Sequence, residues 1–192
     1  MRCMLCEKFS FSHICKECRN NFLTPSIYKR KILNKIDVIS FYKYSDIESL
    51  LHTKHTELGY YIYSILADVA MKKFSREFNF SEDVAIIAVD DHVRHGYSHT
   101  AILSKALSNL NLHTKTRKLR AKNQTKYSAK SYQFRLNSPR DFQFETFKQS
   151  NVIVVDDIIT TSLTLSEAVS VLESNSKDVL FCLTLADADL KD

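Results

Sequence analysis

The 192-residue, 22.2 kDa chain has room for one domain of ordinary size and a small appendage, which excludes two unrelated large domains. With 44% hydrophobic and 26% charged residues and a mean hydropathy of -0.23, it is neither disordered nor built of apolar runs near the ~18 residues that span a bilayer. The net charge of +5 is segregated: eight Lys/Arg against two acids over 1–35, seven against ten over 36–112, nine against none over 113–140, and three against ten over 141–192.

The first element is Cys3-x2-Cys6-x8-Cys15-x2-Cys18. Each CxxC can present two thiolates to one ion, and two such knuckles complete a tetrahedral all-thiolate zinc site. Disulfides are the competing reading, but the N-terminus has no apolar region behind its first charge and points to the reducing cytoplasm. Four thiolates leave no open coordination position, so Zn2+ here is expected to be structural, folding a segment too short for its own core. His13, between the knuckles, reads as a surface residue or one behind the ligands.

The basic stretch Lys29-Arg30-Lys31 follows, then an expected strand over 36–42. From Asp46 to Phe78 apolar residues recur at three-to-four spacing, with Leu58, Ile62, Ile65, Leu66 and Val69 on one face; this predicts a long amphipathic helix with a break near 52–56. A buried strand over 84–89 leads through a polar turn to a helix over about 98–110. A second fully apolar strand, 152–155, precedes a helix through Val171, and a last strand spans 179–185. Cys182 in that run reads as a small buried hydrophobe. Continuous apolar strands alternating with helices predict an α/β fold with a parallel sheet covered on both faces. The expected division is a four-cysteine finger and basic connector over 1–35 and the α/β domain over 36–192.

Only two glycines occur, Gly59 and Gly96, where average usage gives roughly thirteen. Glycine-rich Rossmann and P-loop phosphate cradles are therefore excluded. In a parallel sheet the ligand site lies beyond the carboxyl ends of the strands. There Asp156-Asp157-Ile158-Ile159-Thr160-Thr161-Ser162-Leu163-Thr164 puts paired acids ahead of a hydroxyl-rich turn and a helix start. The acids suit ribose hydroxyls; the amides, hydroxyls and helix dipole suit a 5'-phosphate. At the turn after 84–89, Gly96 stands among Arg94 and three histidines, either an anion-facing turn or an ordinary polar loop.

The nine cations of 113–140 are interleaved with Tyr127, Tyr132 and Phe134. Two readings stand: a solvated loop, or a polyanion surface in which Arg117, Lys118, Arg120, Lys122, Lys126 and Lys130 meet phosphates while Tyr127 stacks on an unpaired base.

The segment 152–164 closely resembles the phosphoribosyl-pyrophosphate motif of type I phosphoribosyltransferases, with Ser162 where the motif has glycine. Together with the four-cysteine finger, the long helix, the glycine turn and the basic segment with Gln124, the chain resembles the ComF-type competence proteins over nearly its whole length. The resemblance implies a type I phosphoribosyltransferase-like core with a basic hood over about 113–145. It implies phosphoribosyl pyrophosphate bound with Mg2+ at Asp156, Asp157, Thr160, Thr161, Ser162 and Thr164. It further implies handling of incoming single-stranded DNA in natural transformation, with other DNA-uptake proteins at the inner membrane as partners and peripheral attachment to its cytoplasmic face at most. The alternative is an active phosphoribosyltransferase acting on a base or amine acceptor, which would also need a pyrophosphate subsite, where Asp90 and Asp91 repel pyrophosphate unless magnesium intervenes.

Overall fold

The computed structural model describes residues 1–78, 80–89, 93, 96–123, 133–134 and 137–190. Among the described residues six strands form one sheet in the order β1 (Tyr28–Ile32), β2 (Ile36–Lys43), β8 (Asp178–Asp187), β7 (Asn151–Ile159), β3 (Val84–Ala88) and β4 (Leu112–Lys115). Only β1 runs antiparallel to its neighbour; β2, β8, β7, β3 and β4 are parallel, as the apolar runs predict. A separate two-stranded ribbon pairs β5 (Leu119–Ala121) with β6 (Phe142–Phe144).

The expected long helix is segmented. It comprises α2 (Tyr44–Leu51), a 3-10 turn (His52–His55), α3 (Glu57–Leu66), a π-helical turn (Ala67–Met71) and α4 (Lys72–Glu77). With α5 (His99–Ala106) these helices cover one face of the sheet, burying Ile62, Leu66 and Leu103 against Phe41, Ile86, Ile153, Val155 and Leu183. On the other face α6 (Leu163–Ser174) lays Leu165, Ala168, Val169 and Leu172 on Ala85, Ile87, Val152, Val154 and Cys182. Successive side chains of a strand point to opposite faces, so burial on both sides explains why 152–155 is apolar without alternation. Cys182 is fully buried, as expected.

The finger, with its short helix α1 (Lys16–Phe22), packs on the first of these cores: Cys3, Ile14, Cys18 and Leu23 are buried within it. Tyr42 of β2 donates its hydroxyl to the Leu23 carbonyl at 2.9 Å, and His13 lies against Tyr61 of α3 with ring centres 4.6 Å apart.

Candidate functional site

Strand β7 continues past its apolar run through Asp156 and Asp157 to Ile159, paired with β8 to the register Ile159↔Asp187. The apolar run 152–155 predicts that both acids stand just beyond the strand; they lie within it, and alternation sends them to different surroundings. Asp157 is buried, and three donors converge on its Oδ2: Lys54 Nζ at 2.9 Å, Tyr63 OH at 3.2 Å and His99 Nε2 at 3.5 Å. Burial opposes ionisation of Asp157, but the Lys54 ammonium and the His99 ring outweigh it and hold the carboxyl well below the usual carboxylate range. Asp156 is half-buried, and its Oδ1 accepts the Asp157 amide at 2.8 Å. Loss of solvation and the adjacent Asp157 charge push its carboxyl well above the usual range. The two acids thus differ in kind: Asp157 ties α3, α5 and the 3-10 turn to the strand, and Asp156 keeps an open side.

Beyond β7 the turn carries Thr160, Thr161 and Ser162 into α6, with Thr164 in the first helical turn. Ser162 adopts φ 60° and ψ -6°, the left-handed conformation that favours glycine. Its side chain does not cap the helix; Oγ donates instead to the Thr161 carbonyl at 2.6 Å. The first intrahelical bond runs from the Ser166 amide to the Ser162 carbonyl, 2.8 Å, so the amides of Leu163, Thr164 and Leu165 precede the helical ladder. Amides grouped at a helix start after a left-handed residue form an anion-binding concavity.

Arg30, Lys54 and Tyr63 carry no site motif in the sequence, and Tyr97 is marked there only as the aromatic of the glycine turn. Their partners lie far along the chain, and only the fold reveals them. Tyr97 OH lies 2.9 Å from the Lys54 carbonyl and 3.0 Å from the Thr56 carbonyl, fixing the turn that carries Lys54. That approach needs Gly59, where a Cβ would stand 2.1 Å from Tyr97 OH and 2.2 Å from the Thr53 carbonyl oxygen. Gly96 itself has φ +79°. Of the glycine turn, Asp90, Asp91, His92, Arg94 and His95 lie outside the described residues.

The four finger cysteines converge, with all Sγ atoms within 4.8 Å of one another and Cys6 to Cys15 at 3.8 Å. None is disulfide-bonded. The Cys15 amide donates to Cys3 Sγ at 3.3 Å and the Cys18 amide to Cys15 Sγ at 3.4 Å, a pattern that stabilises thiolates. At Cys3 burial opposes ionisation, yet amide donors from Cys15, Cys6 and Leu5 draw the thiol down to about 6. At Cys18 burial and the neighbouring sulfurs push it up instead. Four mutually repelling sulfurs at this spacing form a donor set that fits one tetrahedral cation.

The basic segment is partly built into the fold. Leu119, Ala121 and Phe142 are buried beside α6, and the Arg140 and Asp141 amides donate to Glu167 at 2.8 and 2.6 Å. Lys118 pairs with Glu145 (3.5 Å) and Lys122 with Asp141 (3.3 Å); Arg117 stands at a left-handed turn with φ 59°, and Arg120 is exposed. Gln124, Lys126, Tyr127, Lys130 and Tyr132 lie outside the described residues. Among the described residues no helix is long and apolar enough to cross a membrane.

No family model matches the chain, and no curated protein matches it. Among solved structures it is similar to a hypoxanthine phosphoribosyltransferase from Staphylococcus aureus in two crystal forms. The tetragonal form gives 15% identity and a TM-score of 0.41, covering 67% of this chain and 68% of that one. The orthorhombic form gives 16% identity and a TM-score of 0.38 over the same shares.

Proposed function

We propose that the chain binds phosphoribosyl pyrophosphate with Mg2+ at the β7 tip, that its finger holds structural Zn2+, and that it handles single-stranded DNA in natural transformation. The observation that carries the first part is the sequence of groups along one tip: an open Asp156, then a left-handed turn, then uncapped α6 amides. Asp156 accepts from ribose hydroxyls, the turn amides and the Thr161 and Thr164 hydroxyls take the 5'-phosphate, and the helix dipole favours its charge. Asp157, already satisfied by Lys54, Tyr63 and His99, anchors the site instead of touching sugar. Mg2+ enters with the ligand, because that ion is commonly held by one or two carboxylates together with substrate phosphates; Asp156 is the carboxylate placed to share it.

The nucleic-acid role is supported by the resemblance to ComF-type proteins and by the nine cations of 113–140. Its partners at the inner membrane rest on the resemblance alone.

Calorimetry of the full chain with phosphoribosyl pyrophosphate and Mg2+ tests the reading. One site lost in Asp156→Ala is expected, and no heat with the wild type would reject it. Pyrophosphate release in the presence of candidate bases would select the transferase alternative; binding without release selects a ligand-binding module.

A further inference from the structure

Arg30 belongs to the basic run that follows the finger, yet its guanidinium is turned inward onto the far end of the chain. Nη2 donates to the Thr160 carbonyl at 2.6 Å, Nε lies 3.2 Å from Asp187 Oδ2, and Nη1 pairs with Asp189. Asp187, ion-paired with Nε, is itself fixed: it is 2% exposed, and its Oδ1 takes the Asp189 amide at 2.9 Å. The Ala188 amide donates to the Ile159 carbonyl at 2.9 Å, closing the β7 and β8 tips together one residue before Thr160. The edge strand β1 thus holds, through one side chain, the residue at which the candidate phosphate turn begins.

The peptide after Thr160 is planar and trans, so its C=O and N–H point to opposite sides. Holding the Thr160 carbonyl on Arg30 therefore directs the Thr161 amide away from β1. The guanidinium presents its donors in a fixed planar fork that holds the Thr160 carbonyl while it stays ion-paired with Asp187 and Asp189; a lysine ammonium is a compact charge with rotating donors and fixes no such orientation. Lys31, the next residue on β1, pairs with Asp37 at 3.5 Å and has no part in this contact.

We propose that Arg30 is a positioning residue of the sugar-phosphate site, orienting the Thr161 amide toward the ligand phosphate from an element outside the phosphoribosyl motif. The inference rests on the phosphoribosyl reading above.

The test is the affinity of the full chain for phosphoribosyl pyrophosphate with Mg2+, and for ribose 5-phosphate, in wild type, Arg30→Lys, Arg30→Ala and Lys31→Ala. Arg30→Lys and Arg30→Ala are expected to lose about tenfold or more for both ligands, the scale of one charge-assisted contact. Lys31→Ala should match the wild type. Guanidinium chloride at low millimolar concentration, far below denaturing levels, should restore part of the loss in Arg30→Ala and leave wild type unchanged, which a general loss of stability would not allow. Wild type that binds neither ligand rejects the phosphoribosyl reading and this inference with it. Wild type that binds, with Arg30→Lys equal to it or Arg30→Ala unrescued, overturns the role of Arg30 alone.

Discussion

Lys54 donates to Asp157 Oδ2 at 2.9 Å across 103 residues of sequence, with 22% and 8% of the two side chains exposed. Removing one member of a buried pair leaves the other charge uncompensated, at a cost of 3–5 kcal/mol when burial is complete. Because Lys54 keeps some solvent, Asp157→Ala is expected to cost about 3 kcal/mol in urea unfolding. Asp156→Asn should instead stabilise the free protein at neutral pH, since it removes a carboxylate that burial and Asp157 disfavour, while abolishing ligand binding. Equal stability changes in the two variants would contradict the division of labour.

The same contrast has a pH dependence. Asp156 is raised in the fold, so its contribution is fully present below the unfolded value of about 3.9 and is lost as pH rises toward the folded value. Asp157 is lowered, so its contribution is present above about 3.9 and is lost as pH falls through the folded value. The gap in melting temperature between Asp156→Asn and wild type should therefore widen between pH 4 and pH 7. A constant gap over that range would show that Asp156 is not perturbed.

Ser162 bears a Cβ at φ 60°, where a left-handed L-residue costs roughly 1–2 kcal/mol. Ser162→Gly relieves that and adds some unfolded-state entropy, for a net gain of up to ~1 kcal/mol, or roughly 2–4 °C in a domain of this size. Ligand affinity should hold or improve, because closer approach to the turn amides is allowed. Differential scanning calorimetry with and without ligand checks it; a lower melting temperature would mean the Ser162 hydroxyl contact outweighs the strain.

Elemental analysis should find one zinc per chain, and Cys6→Ser or chelation should loosen the finger. Ile14, Cys3 and Cys18 are almost fully buried against the main core, so metal loss exposes apolar surface there as well. Increased binding of a hydrophobic dye on chelation is the expected readout. Retention of full stability without metal would reject a structural site.

Single-stranded DNA should bind with a salt dependence set by phosphate contacts. At about -0.7 per neutralised phosphate, replacing Arg117, Lys118, Arg120 and Lys122 with Ala removes at most about 2.8 from the slope magnitude of log affinity against log salt. Lys118 and Lys122 already have acidic partners, so Arg117 and Arg120 should account for most of the change. A fluorescent oligonucleotide titrated at several salt concentrations decides; equal slopes would leave the segment a solvated surface.

The central strands were legible because burial on both faces leaves β3, residues 152–155 of β7 and residues 179–183 of β8 uniformly apolar, and the cysteine pairs were legible because thiolate spacing is local. Other elements were not. β1 reads as Tyr-Lys-Arg-Lys-Ile, since an edge strand presents alternate residues to water, and β4 has one buried residue, Leu112. The extension of β7 through two acids was hidden because the groups that tolerate Asp157 there, Lys54, Tyr63 and His99, come from three other segments. The contacts of Arg30 were hidden for the same reason: nothing in Lys29-Arg30-Lys31 shows that its carboxylates come from residues 187 and 189.

The placement of β8 between β2 and β7 also governs the order of assembly. Until residues 178–187 have been synthesised, β1–β2 and β3–β4–β7 have no strand to join them, and two apolar edges stay unpaired. The growing chain therefore carries two unpaired, association-prone sheet edges until β8 emerges, and insertion of β8 joins β2 to a strand more than a hundred residues away in sequence. Nascent chains stalled before β8 should be held by chaperones and cut by protease, and those stalled after it should resist both.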